Sequence, residues 1–186
     1  MRSALDRLTS WFGFALAAVL IVAGALLAYG SSFISDNVKE QLSQQNITMP
    51  TADKLTTQAQ KDALTKYAGQ KMTTGDQAKA FADHYILVHM NTQSNNKTYE
   101  EVSGEYMKAA KTAPDAAETK ALGELRQSLF MGNTLRGLLL NAYAFGTMAK
   151  VAMWAAIGAF LGGIVFLVLG ALGLRHAKRV ETPARA

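Results

Sequence analysis

The sequence predicts an all-α protein: two transmembrane helices with an extracytoplasmic helical bundle inserted between them. Three observations predict it. Residues 11–29 and 151–174 contain no charged side chain. The polar stretch between them has helical spacing and helix caps, with no strand pattern and no internal repeat. Basic residues sit just outside the outer ends of both apolar runs.

The first run, WFGFALAAVLIVAGALLAY, would span about 28 Å as a helix, against a hydrocarbon core of about 30 Å. Trp11 and Tyr29 bracket it as interfacial anchors. It is longer than the roughly 7–15 residues of a signal-peptide core, so it reads as an anchor although Ala28-Tyr29-Gly30 would pass as a cleavage site. The second run would span about 36 Å, enough to cross with some tilt. Trp154 lies one turn inside its Lys150 end, and Arg175, Lys178 and Arg179 close the other end. Arg2 and Arg7 precede the first run, so both tails are expected in the cytoplasm of a plasma (inner) membrane. The expected organisation is a cytoplasmic tail (1–10), a span (11–29), an extracytoplasmic all-α domain with a helical stalk (30–150), a second span (151–174) and a basic cytoplasmic tail (175–186).

The net charge of +5 is concentrated in the tails: the middle carries thirteen basic against twelve acidic residues. That favours a lipid bilayer over nucleic acid as the partner. There is no cysteine, which excludes disulfides, thiolate nucleophiles and Cys-ligated zinc.

Within the middle, Ile34, Val38 and Leu42 continue the first span as an apolar stripe. Pro50 pushes Met49 towards an extended conformation. A second helix is expected over 52–68, stopped by Gly69. A third opens at Thr74 and ends at Asn95-Asn96. Thr98 with Glu101 is a capping box for a fourth. Pro114 suits the first turn of a fifth, separated by Gly132 and Asn133 from a last helix that runs into the second span. Leu138, Leu139, Leu140, Tyr143, Phe145 and Met148 precede Lys150, and apolar surface outside a bilayer needs a cover. The extension of the first span and the short helices are the expected cover.

Asp76, Asp83, His84 and His89 form the one cluster with ligand chemistry. Asp83 and His84 point about 100° apart on a helix, and His89 lies about 140° further round from His84. Asp76 lies about 10 Å along the axis from Asp83. One helix cannot bring them to one ion, so the reading is solvated flanks, with no metal, no cofactor and no catalytic residue assigned. There is no Gly-x-Ser-x-Gly, and the Thr73-Thr74-Gly75-Asp76 stretch reads as a helix cap, not a phosphate loop. Charge-free spans argue against an ion pathway. Small residues at Gly24 and Ala28, and at Gly158, Gly162 and Gly163, permit close helix packing, either between the two spans or with another subunit.

Several segments carry a resemblance: LSQQNITMP (42–50), YAGQKMTTG (67–75), ADHYI (82–86) with HM (89–90), KTYEEV (97–102), RQSLFM (126–131) and LRGLLLNAY (135–143). They resemble actinobacterial double-pass membrane proteins of uncharacterised function, some labelled aromatic ring-opening dioxygenases. The likeness covers nearly the whole chain and implies a Gram-positive cell membrane. Ring opening would need an iron site, typically two His and one carboxylate, which the helical spacing does not assemble. The expectation is therefore a non-catalytic accessory or scaffolding subunit of an envelope or membrane complex, with protein contact or self-association through the spans. The alternative is a ligand- or metal-binding outer domain using Asp83, His84 and His89.

Overall fold

The computed structural model describes residues 2–181, and the described residues contain helices but no strand. The last five residues of the expected basic tail, Arg185 among them, lie outside the described residues. Six α-helices follow in order: α1 (Arg2–Gln44), α2 (Gln58–Leu64), α3 (Gly75–Phe81), α4 (Leu87–Ser94), α5 (Tyr99–Thr112) and α6 (Ala117–Glu181). Two of them, α1 and α6, are long and apolar enough to cross a membrane. The chain divides into two compact units. One joins α1 up to Ser35 with α6 from Met148 onward; the other runs from Asp36 to Thr147.

In the second unit, threonine caps set the helix starts. Thr57, Thr74 and Thr98 each accept a hydrogen bond from the backbone N–H three residues on. The side chains of Gln60, Gln77 and Glu101 reach back to the cap backbone, completing three capping boxes. Gln60 and Gln77 are almost fully buried, which is tolerable because their amide oxygens each accept from two backbone N–H groups. The bond that Glu101 accepts from the Thr98 backbone, reinforced by the Thr98 hydroxyl, holds its carboxyl below the usual range.

The stretch before Pro50 is extended and pairs with the chain after Gly69. Met49 N–H donates to Gln70, Gly69 N–H to Met49 and Met72 N–H to Ile47, at 2.8–3.2 Å. Met49 and Met72 are thereby buried with Leu64 and Leu55. Gly69 (φ 71°), Asn46 (φ 52°) and Asn95 (φ 52°) supply the left-handed turns.

Three helix expectations are corrected. Residues 52–68 form a 3-10 turn (Ala52–Lys54), then α2, then a second 3-10 turn (Thr65–Tyr67), because Thr57 caps a fresh helix and breaks the expected one. Pro114 lies in the turn before α6 and not in its first turn. No break occurs at Gly132 and Asn133: α6 is continuous. A glycine costs a helix about 1 kcal/mol, and here Gly132 gains packing. A Cβ there would lie 2.6 Å from the Met90 sulfur, so the glycine lets α4 approach α6. Met90, Val102 and Leu129 form a core at this crossing, with Ile86, Tyr99, Leu122 and Leu125 against it.

Candidate functional site

Asp83 does not share a site with the two histidines. Between α3 and α4 the backbone widens into a π-turn (Ala82–Ile86), where Leu87 N–H donates to the Ala82 carbonyl. Such wide turns recur at functional sites, and their geometry leaves a carbonyl open to a second donor. Arg136 of α6 takes that position: Nε donates to Ala82 O at 3.0 Å, and Nη2 donates to Asp83 Oδ1 at 3.1 Å. Lys79, one turn before Asp83, donates to the other carboxylate oxygen and lies over the Tyr143 ring, 5.3 Å from its centroid. Burial pushes the Asp83 carboxyl up, but the hydrogen bonds from Lys79 and Arg136 outweigh it, and the net shift is downward. The same bond holds the Lys79 ammonium above its ordinary value.

His89 is exposed; its Nδ1 donates to the Tyr85 carbonyl at 2.7 Å, and its ring lies 4.3 Å from the Tyr85 ring. Tyr85 in turn stacks on Phe81 at 4.9 Å. His84 is half-buried within the π-turn, and Asp76 lies in the first turn of α3. No group of three or more His, Asp or Glu able to hold an ion forms among the described residues. What the site does chemically is clamp: one guanidinium joins the π-turn carbonyl, its carboxylate and the long helix.

Removing the carboxylate is expected to loosen that clamp. Asp83→Asn should cost about 2 kcal/mol at neutral pH, because two cations lose a charged acceptor in a partly buried setting. A carboxyl whose folded-state affinity for protons is lowered stabilises the fold above its unfolded value. That stabilisation is lost as pH falls through the lower, folded value. Urea unfolding of both proteins should therefore show a constant wild-type advantage from neutral pH into the ordinary carboxylate range, shrinking only below it. An advantage that fades before that range is reached contradicts the clamp.

A shallow groove of about 760 Å³ lies beside α5 and α6, lined by Tyr106, Pro114, Gly123, Arg126, Gln127 and Met131 among others. Its arginine is already engaged. Arg126 sits 5.8 Å from the Tyr99 ring centroid and 5.4 Å from that of Tyr106, and donates to Ser103 Oγ at 3.0 Å.

In the other unit, α1 and α6 pack antiparallel along a seam of small residues. Ser10, Ala17, Gly24 and Ser31 are buried on α1, and Ala149, Ala156, Gly163, Gly170 and Ala177 on α6. Both series repeat every seven residues, the period that keeps one seam facing its partner. Ser31 Oγ donates to the Ala149 carbonyl at 2.8 Å. A Cβ at Gly24 would lie 3.1 Å from the Phe160 ring, and one at Gly163 3.4 Å from the Ala17 carbonyl oxygen. Of the small residues named from sequence, Gly24 and Gly163 lie in the seam. Gly162 touches Leu20 at its edge, Ala28 is half-buried, and Gly158 faces open space. Sequence reasoning missed Ser10, Ala17 and Gly170, whose signal is the seven-residue repeat, and Gly13 and Gly173, which lie off that repeat and pack beside it. The rings of Trp11, Tyr29 and Trp154 are largely exposed, as is that of Phe12, and Arg175, Lys178 and Arg179 lie on exposed surface in the last turns of α6.

These features define the class: an all-α protein with two apolar helices able to span a membrane and a helical unit between them. Comparison with protein-family models, with curated proteins and with solved structures finds no match to the chain.

Proposed function

We propose that this is a non-catalytic integral protein of the plasma membrane, an accessory or scaffolding subunit of an envelope or membrane assembly, as its resemblance to actinobacterial double-pass proteins also implies. The observation that carries the reading is the combination of small residues inside the α1–α6 seam with an apolar outer surface. Val19, Val22, Leu26, Leu161, Ile164, Val165, Val168, Leu169 and Leu172 all project outward. Such a surface suits acyl chains and does not suit water. Arg2 and Arg7, with Arg175, Lys178 and Arg179, favour cytoplasmic tails and an extracytoplasmic middle. The commitment of Asp83 to Lys79 and Arg136 favours a structural use of the polar cluster over a metal-binding one.

The test is purification of the tagged full chain from carbonate-washed native membranes in mild detergent, with mass spectrometry and mass determination of the particle. A stoichiometric assembly is expected. Release of the chain by carbonate would end the membrane reading, and a bare monomer would end the subunit reading.

A further inference from the structure

The unit running from Asp36 to Thr147 leaves one face of α6 uncovered. The inner face of that helix is fully used: Leu129 and Leu139 are buried, Arg136 reaches the π-turn, and Tyr143 abuts Gly75. The outer face presents Phe130, Met131, Leu135, Leu138 and Phe145, with exposures of 36–63%. Of the residues expected to need a cover, Leu139 is buried and Leu140 and Tyr143 are half-buried, whereas Leu138, Phe145 and Met148 stay exposed. Met131, Leu135, Leu138, Ala142 and Phe145 follow the alternating spacing of four and three that forms a coiled-coil seam. Between Gln127 and Ala149 the sequence has one charged residue, Arg136, and that side chain is turned inward onto Ala82 and Asp83. Exposed neighbours of the stripe are Thr134, Gly137, Asn141 and Ala144.

We infer that this face pairs with the same face of a second copy, α6 against α6, parallel and in register. The inference rests on the membrane reading above, because copies inserted in one membrane with one topology present this face in the same orientation. In a parallel two-fold pair, residues near the axis meet their own counterparts. Any charge there would oppose its like, so a charge-free face is the composition such a pairing requires. The stripe exposes on the order of 400 Å² of apolar surface, within the range of the largest patch on an ordinary monomer. Doubled in a pair, that gives about 800 Å², the size of a weak interface. Confinement to one membrane raises the effective concentration and compensates for the modest size. A partner of another sequence would have no need of a face free of charge, since opposite charges on the two surfaces would serve it better.

The chain has no cysteine, so single cysteines report cleanly. Leu135→Cys, Leu138→Cys and Phe145→Cys are placed one at a time in the full chain in native membranes and oxidised. Gly104→Cys serves as control, because a Cβ there meets nothing within 4 Å. The expected result is a reductant-sensitive dimer at the three α6 positions and none at Gly104→Cys. Adding Leu138→Lys to Leu135→Cys should abolish the dimer, since each lysine would face its copy; the site is 63% exposed and tolerates the charge in the monomer. Absence of dimer, equal dimer at Gly104→Cys, or adducts of another mass each overturn the self-pairing. Carbonate extraction of the same membranes separates the two readings. A membrane-retained chain that fails to crosslink sinks only the pairing, whereas a released chain sinks both.

Discussion

Gly75→Ala is expected to destabilise the helical domain by about 3 kcal/mol, the largest single-methyl effect in the unit between Asp36 and Thr147. Gly75 opens α3 directly after its Thr74 cap and is buried against α6. A Cβ there would lie 2.8 Å from both the Ala142 carbonyl oxygen and the Tyr143 Cα. Those are backbone atoms of a continuous helix, so no rotamer change relieves the contact. α3 must back away, and two attachments downstream of it go too: Lys79 over Tyr143, and the π-turn on Arg136. Gly146 contributes from the other side, since a Cβ on it would meet the Gly75 backbone at 3.6 Å. Chemical unfolding of the full chain in mild detergent, followed by far-ultraviolet circular dichroism, measures the loss. Gly104→Ala is the matched control: it sits inside α5 with open space around it, and removing a helical glycine should stabilise by about 0.5–1 kcal/mol. If the two variants unfold alike, the close approach of α3 to α6 is wrong.

The helices themselves were legible in the sequence because local signals set them. Thr98 with Glu101 announces α5, and Thr74 announces α3. Thr57 with Gln60 and Thr74 with Gln77 carry the same capping signature, with glutamine in place of glutamate. Read alongside the first, the Thr57 box would have started α2 at the correct residue. The continuity of α6 was not legible, because its explanation is tertiary: Gly132 resembles a stop until Met90 is packed against it. The clamp was half legible. Lys79 and Asp83 lie four residues apart on one helix, a spacing that brings their side chains together. Arg136, more than fifty residues away, signals only by being the sole charge in a long uncharged stretch, which asks for a partner without naming it. The π-turn that receives it has no sequence signature here.

The helix contact in the apolar pair is where period matters most, and Gly170→Leu tests it. Two readings of the same glycines compete. A four-residue motif, Gly158 with Gly162, places contact on one face; the seven-residue series Ala149, Ala156, Gly163, Gly170 and Ala177 places it on another. At Gly170 an added Cβ would lie 3.1 Å from both the Phe14 ring and the Ser10 carbonyl oxygen, so a leucine must force the helices apart. At Gly158 there is nothing within 4 Å. Gly170→Leu should therefore cost about 3 kcal/mol in a reversible SDS titration of the full chain in mixed micelles. Gly158→Leu should stay within about 0.5 kcal/mol of wild type. The only two tryptophans, Trp11 on α1 and Trp154 on α6, provide the fluorescence signal, one on each partner. The reverse order of effects would mean that the four-residue face makes the contact, and the seam between α1 and α6 would have to be abandoned. With the predicted order, the small residues of the seam are consumed within one chain. Contact with other subunits then falls to surfaces outside it, of which the uncharged stripe on α6 is the most apolar in the unit between the two spans.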